Sequence, residues 1–389
     1  MKITDIRCHI MCPIQDDLDG PRSRSFVEVD TDEGITGIGE ATTEFHEAAV
    51  KTQIEVELKA RFVGQDPTDV ERLWQIGYRD FWWRRGIVHT SAMSGIDMAL
   101  WDIKGKAAGL PVFQLLGGKV RDRVRCYIRY GVEFHGRTLE QAAAATLAMG
   151  LDALKHGVGD RPVPFDANVQ IDRAIEQHTK LRELLGPDVA LMCDAAGMFS
   201  PTEAHRLIEG LRPLGMHFIE EPTNMDTIEP TLRLKRDFPD VPIAVGERLL
   251  TRWDCRPWFE QQAIDICQAD ISHTGGISEL LKIAHFAEVY GIRLAPHNPY
   301  GPVALAAVAH VAAAIQNFAI VEHCPIQPWF DRVQAVKLPL QAGYIDVDEL
   351  GRRPGLGVEL DMDFVRSRNR HVPSGGQGYQ QADGSLPLI

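Results

Sequence analysis

With 389 residues, 44% of them hydrophobic and 24% charged, the chain has the composition of an ordinary globular protein and exceeds one typical domain, which excludes a fibrous or low-complexity character and predicts two structural units. The formal charge of −13 argues against nucleic acid or an anionic membrane as partner, both of which favour basic patches, and points to small molecules. No apolar run reaches about 18 residues, the start MKITDIRCHIM lacks the regions of a signal peptide, and seven cysteines without paired CxxC spacing are expected to be reduced and mostly buried, so the expected compartment is cytoplasmic.

From the amino terminus, ITDIRCHIM and SFVEVDTDEGITGIGEAT alternate apolar and polar residues, with turn signals at Asp32-Glu33-Gly34 and at Gly37, which predicts antiparallel strands. Helical spacing follows around 45–62, 67–80 and 90–108. In the last of these Met93, Ile96, Leu100 and Ile103, with the small Ala99 beside them, share one face before Gly109-Leu110-Pro111 stops the helix. Residues 1–120 are thus expected to form an α+β unit. From CYIRYGV near 126 the pattern changes to short apolar strands separated by helix-like segments, eight strands in all, filling 121–345. The longest interval holds the loop GVGDRPVPFDAN and the helix candidate VQIDRAIEQHTKLRELLG. Residues 346–389 carry a strand or turn at PGLGVELD and a polar, Gly-rich tail that is expected to be extended or contact-dependent.

Within the second unit the apolar runs end in polar residues at nearly constant intervals: Asp194, Glu220, Glu247, Asp270, His297 and Glu322, in steps of 26, 27, 23, 27 and 25 residues. One buried strand, one crossover helix and two loops fit such a step, so the rhythm predicts a parallel βα barrel. Active sites of these barrels lie at the C-terminal strand ends, where the six side chains would converge.

Asp194, Glu220 and Glu247 end three consecutive strands, and three carboxylates without thiolates suit a hard cation such as Mg²⁺. The plainer alternative is that they pair with Arg248 and neighbouring lysines. Glu221 follows Glu220 directly and should face the other way by strand alternation. Asp270 and His297 lie on successive strands, where a carboxylate can hold one ring nitrogen and leave the other as a base near neutral pH. Lys155, in ALKHG on the second strand, could neutralise a substrate carboxylate, or else be a snorkelling surface lysine. Glu322 could hydrogen-bond a substrate oxygen if burial kept it protonated. His273, His323 and His217 lack comparable support. Cation, lysine and histidine base together suggest removal of a proton beside a carboxylate, giving an enediolate.

These residues sit in motifs that resemble a known family. CDAAG, HFIEEPTN, AVGERL, CQADISHTGGISE and APHNPYGPVALAA, with SGIDMALWDIKGKAAGLPVFQLLGG upstream and PGLGVEL downstream, resemble the enolase superfamily, mandelate racemase subgroup, over nearly the whole chain, and are most similar to its sugar-acid dehydratases of galactonate type. The resemblance implies a (β/α)₇β barrel under a capping domain built from the N-terminal region and completed by the C-terminal segment. It implies Asp194, Glu220 and Glu247 as metal ligands, Asp270 and His297 as the base dyad and Glu322 as a substrate-binding acid. Lys155 matches the first lysine of the subgroup's Lys-x-Lys pair, while the second position is Gly157, so racemisation with one base on each face is not expected. Ala196 stands where galactonate dehydratases carry a histidine acid for the leaving hydroxyl. His297 could return its proton to a hydroxyl on the same face, or another residue could serve.

Substrate choice in this family comes from the cap, where DDLDGPRSRS (16–25) and FWWRRG (81–86) could line the site, with Arg84 or Arg85 holding a distal group and Trp82 or Trp83 shielding it. Their alternative is ordinary surface charge and domain packing. The expected activity is a Mg²⁺-dependent dehydratase of a sugar acid, forming a 2-keto-3-deoxy acid through an enediolate. Rivals are a sugar-acid cycloisomerase or epimerase and a non-catalytic metal-binding relative. The expected partners are a small sugar acid and further copies of the chain in a homo-oligomer.

Overall fold

The computed structural model describes residues 1–12, 22–130, 138–158, 166–323, 328–372, 380–381 and 383–386. Most of the loop 16–25, the centre of GVGDRPVPFDAN, Cys324 and much of the C-terminal tail lie outside the described residues.

The chain opens with an antiparallel sheet of β1 (Ile3–Met11), β2 (Arg24–Thr31) and β3 (Thr36–Glu40) in that order. Alternation buries Ile6, Cys8 and Ile10 of β1 on one face. The helices Glu47–Thr52 and Lys59–Phe62 are joined by a wider π-type turn over Gln53–Leu58, and Val70–Arg79 and Ile87–Ala108 follow. The last is buried nearly all round, including Met93, Ile96, Ala99, Leu100 and Ile103, and ends where Gly109 takes φ +67, a conformation that costs glycine little. One expectation fails here. Gly37 is not a turn residue but lies inside β3, where a Cβ would stand 2.1 Å from the Ala99 carbonyl oxygen. Its neighbour Gly39 faces Gly95 in the same way, so the sheet and the long helix meet backbone to backbone.

The barrel consists of β4 (Arg123–Tyr130), β5 (Ala153–Gly157), β6 (Ala190–Asp194), β7 (Phe218–Glu220), β8 (Ile243–Val245), β9 (Ile266–Cys267), β10 (Arg293–Leu294) and β11 (Val321–His323). Neighbours from β4 to β10 pair in parallel, and β11 pairs in parallel with β4. A parallel bridge between Leu294 and Phe318 closes the remaining gap. The seven connections carry the helices Leu139–Ala148, Ala167–Leu185, Pro201–Leu211, Glu229–Asp237, Arg252–Glu260, Ile277–Glu288 and Pro302–Ala314, giving the expected (β/α)₇β order. Local sequence explains several starts: Ser200 and Glu203 form a reciprocal capping box with Pro201 in the first turn.

Inside the ring, Tyr127, Ala153, Met192, Phe218, Ala244, Ile266, Ala295 and Ile320 form one plug, while Leu154, Leu191, Ile219, Ile243 and Val321 face the helices. After the barrel, residues Tyr344–Asp346 pair antiparallel with the start of β4, and the chain then climbs back to the first sheet. There the Cys12 amide donates to the Arg368 carbonyl (3.1 Å) and the Arg370 amide to the Ile10 carbonyl (3.0 Å). The six described cysteines are buried, and no helix of the described residues is long and apolar enough to cross a membrane.

The backbone contact at β3 yields a test. Gly39→Ala would put its Cβ 1.8 Å from the Gly95 carbonyl oxygen, forcing the long helix off the sheet. Overpacking of this kind costs about 1–3 kcal/mol, so the unfolding free energy from urea titration should fall by that amount and the midpoint with it; an unchanged midpoint would refute the close approach.

Candidate active site

The plug residues set the register of everything above them. Two positions after each comes a side chain at the barrel mouth: Arg129 after Tyr127, Lys155 after Ala153, Asp194 after Met192, Glu220 after Phe218, Gln268 after Ile266, His297 after Ala295 and Glu322 after Ile320. Strand β8 breaks the pattern. Two positions after Ala244 stands Gly246, with φ +148 and no room for a Cβ beside the Gln268 amide (2.7 Å), and the bend delivers Glu247 to the cavity one residue later.

The mouth holds a cavity of about 310 Å³ under the cap, at the small end of the range for small-molecule sites. Lys155, Asp194, Glu247, His297 and Glu322 line it from the barrel, and Thr43, Glu44 and His46 from the cap. Lys155 is wholly buried, not a snorkelling surface lysine: its Nζ donates to both oxygens of Glu220 (2.9 and 2.7 Å) and to Glu322 Oε2 (3.2 Å). Gln268 Nε2 donates to Glu220 Oε2 at 2.6 Å. Asp194 accepts from Arg129 Nε (3.0 Å) and the Ala196 amide (2.9 Å). Arg248 stands 3.6 Å from Glu247 and 3.3 Å from Glu221.

His297 Nδ1 lies 2.7 Å from Asp270 Oδ2, as the dyad requires, while its Nε2 faces Glu247 Oε2 (3.4 Å) and Glu322 Oε2 (3.9 Å). Asp270 is itself fixed by the Ser272 amide at 2.7 Å. One protonation expectation is corrected and another depends on the charge at Glu247. Burial disfavours a charged His297, but Glu247 and then Asp270 outweigh it and raise its pKa to about 10 as long as no cation offsets Glu247. Burial likewise would raise Glu322, yet Lys155, His297 and Arg129 bring it below its ordinary value, so it is a carboxylate and not an acid.

The acids are crowded. Asp194 and Glu220 are register partners on adjacent strands. Burial, then Asp194, Glu247 and Glu322, push Glu220 up to about 8 against the opposing pull of Lys155. Among the described residues, neither oxygen of buried Glu221 has a hydrogen-bond partner. Among the described residues no three His, Cys, Asp or Glu side chains stand close enough together to hold an ion as they are. Hard oxygen donors under mutual repulsion nonetheless fit a hard cation in chemistry. Glu220 continues the interior face of Phe218, whereas Glu221, at φ +38, turns to Arg248.

Of the two cap segments expected at the site, the loop 16–25 reaches the cavity through Arg22, whereas Trp82, Trp83, Arg84 and Arg85 do not. Trp82 and Trp83 are each 87% exposed. Arg85 turns to Asp254 (3.7 Å) and the Tyr78 hydroxyl (3.2 Å), and Arg84 lies over the Tyr78 ring. The strand-end reading also missed Arg129, Gln268 and Tyr300 and set His273 aside; all but Gln268 line the cavity. Plug alternation along CYIRY and ICQAD would have found the first two.

Comparison with known proteins places this site in context. Residues 10–117 match the mandelate racemase / muconate lactonizing enzyme N-terminal domain, and residues 137–364 the enolase C-terminal domain-like family. The chain is 37% identical over 369 residues to a D-galactonate dehydratase of Ralstonia pickettii (strain 12J), covering 93% of this chain and 95% of the relative. Among solved structures it is similar to an enolase of Agrobacterium radiobacter bound to Na and L-malate, with TM-score 0.89, 30% identity and 100% of each chain covered. An enolase from Pantoea ananatis with bound D-gluconate and Mg aligns with TM-score 0.87 and 28% identity, again over 100% of each chain.

The buried ammonium generates a prediction. In chelator, Lys155→Met leaves Glu220 and Glu322 without their counter-charge and should lower stability by roughly 3–5 kcal/mol. The double variant with Glu220→Gln should recover part of that loss in urea unfolding. A single variant as stable as wild type would show that Lys155 does not balance these acids.

Proposed function

Because the chain belongs to the mandelate racemase subgroup of the enolase superfamily, we propose that it is a hydro-lyase that dehydrates a sugar acid, removing the proton beside the carboxylate and expelling the 3-hydroxyl to leave a 2-keto-3-deoxy acid. The observation that carries this reading is the Asp270–His297 pair, at 2.7 Å, whose free Nε2 faces the acids across a cavity that also holds the Lys155 ammonium.

Asp194, Glu220 and Glu247 are the residues we assign to a divalent cation, Mg²⁺, and the D-gluconate and Mg of the Pantoea structure support that choice. When bound, such a cation supplies a hard Lewis acid for the substrate carboxylate and cancels the Glu247 charge that holds His297 as imidazolium. The rest is done by side chains. Asp270 fixes the ring so that Nε2 takes the C2 proton. The Lys155 ammonium, itself wholly buried, stabilises negative charge gathering on the carboxylate oxygens in the enediolate. Glu322, held by Lys155 and 3.4 Å from the Tyr127 hydroxyl, accepts a hydrogen bond from a substrate hydroxyl. Gly157 offers no side chain on the face where the subgroup's second lysine would stand, which favours one-sided elimination over racemisation. The intact dyad favours an enzyme over a non-catalytic relative.

Two measurements test the proposal. In a panel of epimeric sugar acids the purified protein should release a 2-keto acid from at least one, and His297→Asn should abolish both turnover and exchange of the C2 proton with deuterated solvent. Wild-type exchange in that variant would remove His297 from the role. Metal-free protein should gain melting temperature on titration with Mg²⁺, since a ligand that binds the folded state stabilises it, and Glu220→Gln should weaken that gain; equal gains would transfer the ligand role elsewhere.

A further inference from the structure

Tyr300 follows His297 by three residues and lines the same cavity, its ring perpendicular to the imidazole at 6.0 Å between centroids. Its phenol oxygen is 2.8 Å from His273 Nε2, and His273 Nδ1 is 2.8 Å from Ser91 Oγ on the long cap helix. Ser91 is wholly buried, and among the described residues its hydroxyl has no other hydrogen-bond partner. That isolation sets the direction of the chain. Burial lowers the pKa of His273, so the ring carries one proton. With that proton on Nδ1, Ser91 would accept, and its own hydrogen would be stranded in an interior where polar hydrogens are almost always satisfied. With the proton on Nε2, Ser91 donates to Nδ1 and Nε2 donates to the phenol oxygen. Tyr300 then keeps its own O–H for the cavity.

We propose that Tyr300, oriented by His273 and Ser91, is the acid that protonates the 3-hydroxyl as it leaves, a task for which Ala196 has no side-chain proton. This inference rests on the dehydratase reading above. Burial, with Asp270 and Glu44 next, holds the Tyr300 pKa well above its ordinary value, so the phenol is loaded at neutral pH. A departing hydroxide, whose conjugate acid is water with a pKa of about 15.7, is basic enough to take a proton that weaker bases leave in place. His297 takes the C2 proton, the C2–C3 double bond forms as the C3–O bond breaks, and the Tyr300 proton departs with the oxygen as water. The enol then becomes the 2-keto acid: C3 gains the proton held by His297, and the C2 hydroxyl proton returns through water to the tyrosinate. Both groups are restored with no other reactant. Base and acid stand three residues apart after the same strand, so the elimination is syn.

Tyr300→Phe keeps the ring and removes only the O–H. Three rates are compared with wild type on an accepted sugar acid: 2-keto acid formation, C2 proton exchange in deuterated solvent, and fluoride loss from the 3-deoxy-3-fluoro analogue, which needs no proton donor. Dehydration should fall by about 10²-fold or more, the scale of general acid catalysis, while exchange and fluoride loss stay within a few-fold; the melting temperature should fall, because His273 loses its phenol partner, but unfolding should stay cooperative. Dehydration within a few-fold of wild type overturns the proposal, as does an equal fall in all three rates, which would make the tyrosine a shaping residue. The same split in His46→Asn, with Tyr300→Phe unaffected, gives the role to the cap histidine and also overturns it. If wild type neither dehydrates nor exchanges any acid in the panel, the dehydratase reading fails first and this proposal falls with it.

Discussion

A single ammonium in a nest of carboxylates governs the barrel mouth. Lys155 has no exposure to solvent and binds Glu220 and Glu322, with Asp194 close enough to act on its charge. Removing such groups from water is costly, and the cost is offset only when the geometry satisfies every lone pair. The plug beneath enforces that geometry: the strands cannot rotate without disturbing Phe218 and Met192. The acids remain in excess even so. Glu220 is pushed toward its neutral form, and among the described residues the buried Glu221 carboxylate accepts no hydrogen bond, though Arg248 stands 3.3 Å away. An excess of negative charge in a shaped cavity is poised for a positive ligand, and the field that raises His297 belongs to the same imbalance.

The barrel was legible because its strands are buried on both faces and end at regular steps. The (β/α)₇β order and the Asp270–His297 pairing follow from the rhythm and the motifs together, as do the cavity positions of Lys155, Asp194, Glu247 and Glu322. What the rhythm could not carry is protonation. Whether Glu322 is an acid or His297 a base depends on distances to side chains from other strands, and a strand-end position says nothing about those. Gly246 shows a second blind spot, since the bend that presents Glu247 looks in sequence like any loop glycine. The cap was the least legible part. Trp82, Arg84 and Arg85 have the composition of a binding loop, yet their contacts run to Tyr78 and Asp254, and composition does not reveal direction.

His273 was set aside and Tyr300 escaped notice for a related reason: both lie in loops beyond the strand ends, outside any period. Their position is set by the cap, because Ser91 and Ser94 of the long helix hold His273 and the Gly275 amide. Trp74 donates to the Gly275 carbonyl at 2.9 Å, and Ser278 Oγ donates to Asp97 at 2.6 Å. The loop after β9 is therefore shaped as much by the first hundred residues as by the barrel.

Glu40, at the end of β3, extends this dependence to a helix. Its buried carboxylate accepts from the Gly301 amide at 2.8 Å and the Ala304 amide at 3.1 Å, so the cap supplies the N-terminal cap of the helix Pro302–Ala314, which has no side-chain cap of its own. The seam between the two units runs through the start of a barrel helix. A chimaera that exchanged residues 1–120 alone between relatives would inherit a foreign partner at Gly301 and at the 273–278 loop. Recombination of such proteins is constrained to move these stretches with the cap, which binds the inheritance of the cap to that of the last barrel helix.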